Sequence, residues 1–360
     1  MGKQIELRAE AKELRIMSAQ HTPTKPPSPE QIFSTVQGYQ RAFALKAAVD
    51  IDLFTVIAKG SSTAAEIARS CNAAERGVRI LCDAMTVMGM LTKSGHRYSL
   101  TGDSAFFLDS QSPGYLGRAF KFLLHPVQLE NFAQLGEAVR KGGAADDTGT
   151  LAPDDPIWIE FARGMAPMMV PAAQAIAGIL AQEMGSRPSA KVLDVAASHG
   201  LFGITVAKRL PKAHIYALDW ANVLKVAQEN AQREGLAERY HLLPGSAFEV
   251  DFGSGLDAVL ITNLLHHFTP ADNEKMLKKA HAALNPGGQV IVLEFVPNDD
   301  RISPPVPAMF SLTMLGSTPH GDAYTLAEYG AMFRNAGFEA PRLIPLEPMP
   351  QSLVVARKAF

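Results

Sequence analysis

Three polar side chains fall where a ligand can be handled: Asp194, Asp219 and His266 stand at or near the ends of the runs 191–195, 214–218 and 257–262. These runs read as buried strands of a parallel sheet, and such sheets gather their ligands at the carboxyl ends of the strands. Between the first run and the helix that follows lies Ala196-Ala197-Ser198-His199-Gly200. Small residues there let a ligand approach the backbone, and the helix start points free amide groups at it. A dinucleotide fingerprint needs glycine at 196, 198 and 201, which are Ala, Ser and Leu, and no Gly-Lys-Ser or Gly-Lys-Thr phosphate loop occurs. A nucleoside without a pyrophosphate remains.

Asp219 follows Gly200 by nineteen residues, a place from which a carboxylate accepts hydrogen bonds from both ribose hydroxyls, and Trp220 can then cover an adenine face. The same two residues also read as a cap for a helix over 222–234 and as core. His266 and His267 offer an imidazole that titrates near neutrality, or they merely decorate a strand end.

The elements that position these groups begin at residue 190, where strand, turn and helix alternate: strands at 191–195, 214–218, 240–244, 257–262 and 288–295, helices after Gly200 and over 222–234 and 271–285. This predicts an α/β domain over 186–360 with a mostly parallel sheet covered on both faces. Residues 116–185 read as a helical connector, broken at Lys141-Gly142-Gly143, Pro153 and Pro156, that contributes to a substrate pocket. Its Phe161, Met165, Met168 and Met169, with His267, Met309, Phe310, Met314 and Leu315 from later segments, suggest an apolar pocket for a flat molecule.

A chain of 360 residues exceeds one ordinary core. Residues 1–28 read as a flexible extension, proline-rich over 20–29. A domain over 29–115 starts at Ser28-Pro29-Glu30-Gln31, read as a capping box, with Ile32, Val36, Tyr39, Phe43 and Ala47 on one helix face. Thr63-Ala-Ala-Glu66 and Asn72-Ala-Ala-Glu75 repeat the start signal, and Met90–Leu100 reads as a hairpin around Ser-Gly. Short helices followed by a hairpin spell a mainly α winged helix.

DNA binding by this module, as in a ligand-sensing transcriptional regulator, is disfavoured. The helix from Arg76 to Met90 is largely apolar, and residues 29–101 carry eight basic against six acidic side chains. The better reading is a platform for a second subunit, with Val36, Phe43, Val78, Met85 and Met88 as apolar surface to cover. The whole chain has 34 basic and 36 acidic residues, so neither nucleic acid nor membrane is an expected partner. Two cysteines, a charged N-terminal stretch and no run of about 18 uninterrupted apolar residues predict a cytoplasmic protein.

Taken together, the segments Val192-Leu-Asp-Val-Ala-Ala-Ser-His-Gly200, Leu218-Asp219, Gly245-Ser-Ala-Phe248, Leu264-Leu-His266, Asn285–Glu294 and Tyr324–Tyr329 with Ala336-Gly-Phe338 resemble the S-adenosylmethionine-dependent small-molecule O-methyltransferases. These enzymes dimerise through an N-terminal winged helix and carry a class I, Rossmann-like methyltransferase domain. The resemblance runs over about residues 30–358. It implies that Asp194, Ala196, Ser198 and Gly200 hold the methionine end of S-adenosylmethionine, that Asp219 holds the ribose, and that Ser246, Ala247 and Phe248 surround the adenine, beside the Trp220 already read as covering it. It implies that His266 is a general base oriented by Glu294, that the methyl acceptor is a small molecule, and that the chain forms a homodimer.

Departures from the family pattern bear on the chemistry. The residue after Gly245 is usually Asp and here is Ser246; the catalytic His is commonly followed by Asp-Trp and here by His267-Phe268; a second carboxylate falls on Ala323. A carbon or nitrogen acceptor, needing a weaker base, is the alternative within the fold. A metal site made by His266, His267 and Glu294, as in some carbon-methylating relatives, is disfavoured because adjacent side chains on a strand point opposite ways. No metal is expected.

Overall fold

The computed structural model describes residues 27–146, 157–184 and 189–360. Most of the expected N-terminal extension, and the breaks expected at Pro153 and Pro156, lie outside the described residues.

The N-terminal domain comprises α1 (Glu30–Val36), α2 (Gly38–Asp50), α3 (Leu53–Ala58), α4 (Ala64–Ser70), α5 (Glu75–Val87), the hairpin β1 (Leu91–Ser94) and β2 (Arg97–Leu100), and α6 (Gly102–Phe107). The capping box at Thr63 and Glu66 forms, each side chain bonding the other's backbone N–H. Two expected caps do not. Pro29, not Ser28, holds the cap position of α1, though Ser28 Oγ accepts the Glu30 N–H at 3.3 Å. Asn72 adopts φ +50° just past α4, the left-handed conformation suited to a helix end, and α5 starts from Ala74 without a side-chain cap.

The face expected for a second subunit divides in two. Val78 and Met85 are buried inside the domain's own core with Leu53, Phe54, Ile67, Cys82, Leu91 and Tyr98, which corrects their assignment to an outer surface. Ile32, Phe33, Val36, Tyr39 and Phe43 on α1 and α2 do stand in solvent, between 45% and 67% exposed.

The connector holds α7 (Ala119–Leu123), α8 (Pro126–Ala133), α9 (Leu135–Lys141) and α10 (Ile157–Met184). Helix α10 is long and apolar enough, by length and composition, to cross a bilayer, although Pro167, Pro171 and Gln174 interrupt its apolar run. Its Met169, Ala172, Ala173, Ile176, Ala177, Leu180 and Met184 are buried in one core with the α/β domain.

That domain runs β3 (Ala190–Val195), α11 (Leu201–Arg209), β4 (Ala213–Asp219), α12 (Ala221–Arg233), β5 (Tyr240–Pro244), β6 (Leu256–Thr262), α13 (Pro270–Ala283), β7 (Leu284–Glu294), α14 (Pro305–Ser317), α15 (Leu326–Asn335), β8 (Arg342–Pro345) and β9 (Ser352–Arg357). The seven strands lie in the order β5-β4-β3-β6-β7-β9-β8. Pairings from β5 to β7 are parallel, and β9 runs antiparallel to both its neighbours. Strands β3 and β6 are covered on both faces, which explains their unbroken apolar runs. The chain is therefore a mostly parallel α/β sheet domain preceded by a mainly α domain.

Candidate active site

The order reversal falls between β3 and β4 on one side and β6 and β7 on the other, and the loops at their carboxyl ends form the site. Asp194 is fully buried on β3. Its Oδ2 accepts the Gly203 N–H at 3.0 Å, while its Oδ1 has no partner. Burial pushes this carboxyl up to about 7, and the neighbouring Asp219 charge adds to the effect. The following loop alternates left-handed residues: Ala196 at φ +55°, Ser198 at +52° and Gly200 at +74°. For the two L side chains that conformation costs on the order of 1 kcal/mol each, and the ends of β3 and β4 hold it in place through Ala197 N–H to Leu218 O at 3.0 Å. A Cβ at Gly200 would lie 2.7 Å from the Tyr240 hydroxyl and one at Gly203 2.5 Å from Ile215, so the start of α11 can pass this closely only as glycine.

Asp219 ends β4, half-buried. Its Oδ2 accepts the Ser198 N–H at 2.8 Å and its Oδ1 the Trp220 N–H at 2.7 Å, and desolvation raises it to about 6. Trp220 itself occupies the cap position of α12, so Asp219 ties the two loops together and does not cap that helix. Trp220 packs with Trp158, Ile159, Ala162, Val223 and Val226. Beyond β5, Ser246 Oγ accepts the Phe248 N–H at 3.2 Å, and Lys279 Nζ donates to the carbonyls of Ala247 and Val250, both at 2.8 Å. Phe248 is 37% exposed and meets the edge of Phe268.

At the end of β6, Asn263 turns left-handed at φ +52° and Leu265–His267 forms a single 3₁₀ turn. The turn is held from β7. Glu294, wholly buried, accepts the Leu264 and His266 N–H groups on Oε1 at 3.0 and 3.3 Å, and its Oε2 lies 2.6 Å from His266 Nδ1. Because the two histidines sit on a turn and not on a strand, they converge, with Nε2 atoms 3.2 Å apart; the expectation that they point opposite ways is wrong. Glu294 nevertheless lies on the Nδ1 side of His266, away from the Nε2 pair, so the three groups do not face one point.

Aromatic rings wall this pair. Phe310 presents its edge to His266 at 4.9 Å and stacks on Phe295 at 3.9 Å; Trp158 meets His267 edge-on at 5.5 Å, with Phe161 and Phe122 behind it. Met165, Met169 and Met314 are buried, and Met169 Sδ lies 3.6 Å from Asn263 Nδ2. Met168 and Met309 are 37% and 62% exposed, the most open of the residues assigned to the pocket. Trp158, Phe295 and Asn263 were not singled out from the sequence. Trp158 had a signal: it precedes Phe161, Met165 and Met169 at helical spacing. Ala323 is completely buried, and its neighbour Asp322 pairs with Arg301 at 3.3 Å; among the described residues Glu294 is the one carboxylate hydrogen-bonded to His266.

A family model of the O-methyltransferase domain matches residues 158–339, and one of the O-methyltransferase dimerisation domain matches 33–110. The chain belongs to the O-methyltransferase family. These are S-adenosylmethionine-dependent enzymes, and S-adenosylmethionine is the cofactor. The chain is 49% identical to a Nostoc punctiforme protein assigned as an O-methyltransferase, whose crystal structure superposes with a TM-score of 0.88 over 93% of this chain and 100% of that one. It is 28% identical to the 3-hydroxy-5-methyl-1-naphthoate 3-O-methyltransferase of Streptomyces sahachiroi, over 91% of this chain and 94% of that protein. It is 26% identical to an L-tyrosine C(3)-methyltransferase of Streptomyces lavendulae, over 82% of each. The methyltransferase loops fit a nucleoside cofactor: Asp194 Oδ1 and Ser198 Oγ are buried without a partner, and two carboxylates lie beside a left-handed backbone turn.

Proposed function

We propose that this O-methyltransferase methylates a hydroxyl group of a small, flat aromatic molecule, with the Glu294–His266 pair supplying the general base. In this reading Asp194, Ala196, Ser198 and Gly200 hold the amino-acid end of the cofactor, Asp219 its ribose, and Trp220, Ser246, Ala247 and Phe248 its adenine. The bound cofactor supplies an electrophilic methyl on a sulfonium. The protein's part is to align the acceptor in a water-poor pocket and to remove its proton as the oxygen attacks.

One observation carries the reading: the 2.6 Å contact between Glu294 Oε2 and His266 Nδ1, buried and flanked by aromatic rings. The carboxylate fixes the proton on Nδ1 and stabilises the imidazolium that forms when the base works. Phe161, Met165, Met169, Phe310 and Met314, with Trp158 and Phe295, supply the flat apolar wall; Met168 and Met309 belong to its open rim.

Mass spectrometry of products from the purified protein, labelled cofactor and a panel of phenols, keto acids and amines tests the reaction. His266→Ala is expected to cost about 10²–10⁴ in turnover on a phenol and to leave cofactor affinity unchanged. Full activity of that variant at neutral pH would sink the base. The second reading, methylation at carbon, is favoured by the similarity to the tyrosine C(3)-methyltransferase. It predicts a product that resists demethylation and retains its free hydroxyl.

The same proposal includes a homodimer, supported by the matched dimerisation domain and the exposed face of Ile32, Phe33, Val36, Tyr39 and Phe43. Phe33→Glu with Phe43→Glu should yield monomers in analytical ultracentrifugation.

A further inference from the structure

The histidine that follows the base has a geometry of its own. His267 is 8% exposed, its Nε2 lies 3.2 Å from His266 Nε2, and its Nδ1 is buried with no hydrogen-bond partner. The positions of the protons follow from the partners. Glu294 Oε1 already accepts two backbone N–H groups and its Oε2 faces His266 Nδ1, so the ring proton of neutral His266 sits on Nδ1. His266 Nε2 is then a bare lone pair. Two bare nitrogens do not approach to 3.2 Å with advantage, so the proton between them belongs to His267 Nε2, and His267 Nδ1 is left bare.

This arrangement has a consequence for the reaction. The lone pair of His266 that should receive the acceptor's proton is already covered by His267, while the basic nitrogen left without a hydrogen-bond partner beside the aromatic rings is His267 Nδ1. Resting on the O-methylation reading above, we infer that the acceptor's proton enters at His267 Nδ1 and that His267 and His266 work as a two-ring relay ending on Glu294.

The protons balance. The acceptor O–H breaks and its proton bonds to His267 Nδ1; the proton on His267 Nε2 passes to His266 Nε2, leaving His267 neutral and His266 an imidazolium paired with Glu294. The oxygen keeps the O–H electron pair and forms its new bond to the transferred methyl, whose bonding pair to sulfur stays on sulfur. The surplus proton leaves from the pair to solvent when the product departs. Burial and the adjacent His266 hold His267 well below the ordinary histidine range, so it starts neutral. The relay also offers a physical answer to the missing carboxylate at Ala323: the second partner of His266 is a ring that can itself carry a proton.

Two measurements test this. In the full chain with ¹⁵N-labelled histidine, long-range nitrogen–proton spectra with bound S-adenosylhomocysteine should place the proton of His266 on Nδ1 and that of His267 on Nε2. A proton on His267 Nδ1 with a bare Nε2, in the neutral protein, overturns the proposal without touching the base reading. The second is His267→Gln, which can still donate to His266 but cannot carry a proton onward. With 3-hydroxy-1-naphthoate as acceptor, turnover should fall at least about 100-fold, with KM and S-adenosylhomocysteine affinity unchanged and recovery as pH approaches the phenol pKa. His267→Phe, which also removes the ring-to-ring bond, should lose as much. If His266→Ala loses activity while both His267 variants keep it, His266 acts alone and the relay is wrong. If all three keep full turnover on the phenol, the general-base reading itself falls.

Discussion

Two buried carboxylates on neighbouring parts of the sheet edge are treated in opposite ways. Glu294, at the end of β7, has both oxygens engaged by donors of the chain itself: two backbone N–H groups and an imidazole. Asp194, on β3, has one backbone N–H and an oxygen with no partner, and with Asp219 it is pushed upward, to about 7 and about 6, mainly by desolvation. A carboxylate fully paired within the protein is a fixed part that orients something else. One left short of donors is stable only when a ligand brings them. The first arrangement suits the proposed catalytic dyad and the second the proposed cofactor site.

The largest effect should come from the fully paired side. Glu294→Ala leaves Nδ1 of His266 and two backbone N–H groups without acceptors in a dry interior. Each such group costs about 1–3 kcal/mol, so chemical denaturation should report a loss of about 3 kcal/mol or more, and turnover should fall about 10³-fold. If stability is unchanged, the contacts that distinguish Glu294 from Asp194 are not the ones that matter. On the other side, Asp219→Ala should weaken S-adenosylhomocysteine binding by about 2 kcal/mol, close to 30-fold, the worth of charge-assisted bonds to hydroxyls. The free protein also loses the acceptor of the Ser198 and Trp220 N–H groups, so its stability should fall by about 1–3 kcal/mol, less than for Glu294→Ala. Unchanged affinity in calorimetry would remove the ribose from Asp219.

The difference also has a pH signature. For Asp194 and Asp219 the folded pKa exceeds the unfolded value, so the native state binds more protons between about 4 and 7 and stability is lost as pH rises through that window. His199, lowered to about 4 by burial, and His267 act the other way, since the unfolded chain takes up their protons below about 6.5. Asp194→Asn isolates the first contribution. The variant should be more stable than the parent at pH 7 by up to about 4 kcal/mol, the free energy of moving a carboxyl from its ordinary range to about 7, with the gap closing toward pH 4, and it should lose the thermal stabilisation that S-adenosylmethionine gives the parent. A variant less stable at pH 7 would mean that Asp194 serves folding.

What could be read from the chain follows from the range of the forces involved. Strands buried on both faces announce themselves as apolar runs, and a loop of small residues between strand and helix is a local feature, so β3, β4, β6 and the Ala196–Gly200 turn lie where the sequence puts them. The histidine turn was misread as a strand end because its shape is fixed by Glu294, 28 residues away. No neighbour of His266 carries that information. Asn72 misled for a different reason: asparagine suits both the start of a helix and the left-handed residue after one, and the end of α4 claimed it. Val78 and Met85 were assigned to an outer face because helical periodicity shows an apolar stripe but not what covers it; Tyr98 and Leu91 of the hairpin do.

The smallest predicted effect sharpens the same contrast at the loop proposed to hold the adenine. Where the family usually has Asp after the turn glycine, this chain has Ser246, whose hydroxyl is spent on the Phe248 N–H at 3.2 Å. An aspartate can make the same bond two residues onward with one oxygen and keep the other free. That oxygen is the acceptor an exocyclic amino group lacks here. Lys279 fixes the loop through the Ala247 and Val250 carbonyls, so the substitution need not move the backbone. Ser246→Asp should therefore tighten S-adenosylhomocysteine by about 1 kcal/mol, the net worth of one added hydrogen bond and about fivefold in affinity. The gain should be absent for an analogue whose adenine amino group is replaced by hydrogen. Equal tightening of both ligands would mean that the new charge acts at a distance, and weaker binding of both would place the adenine away from residues 246–248.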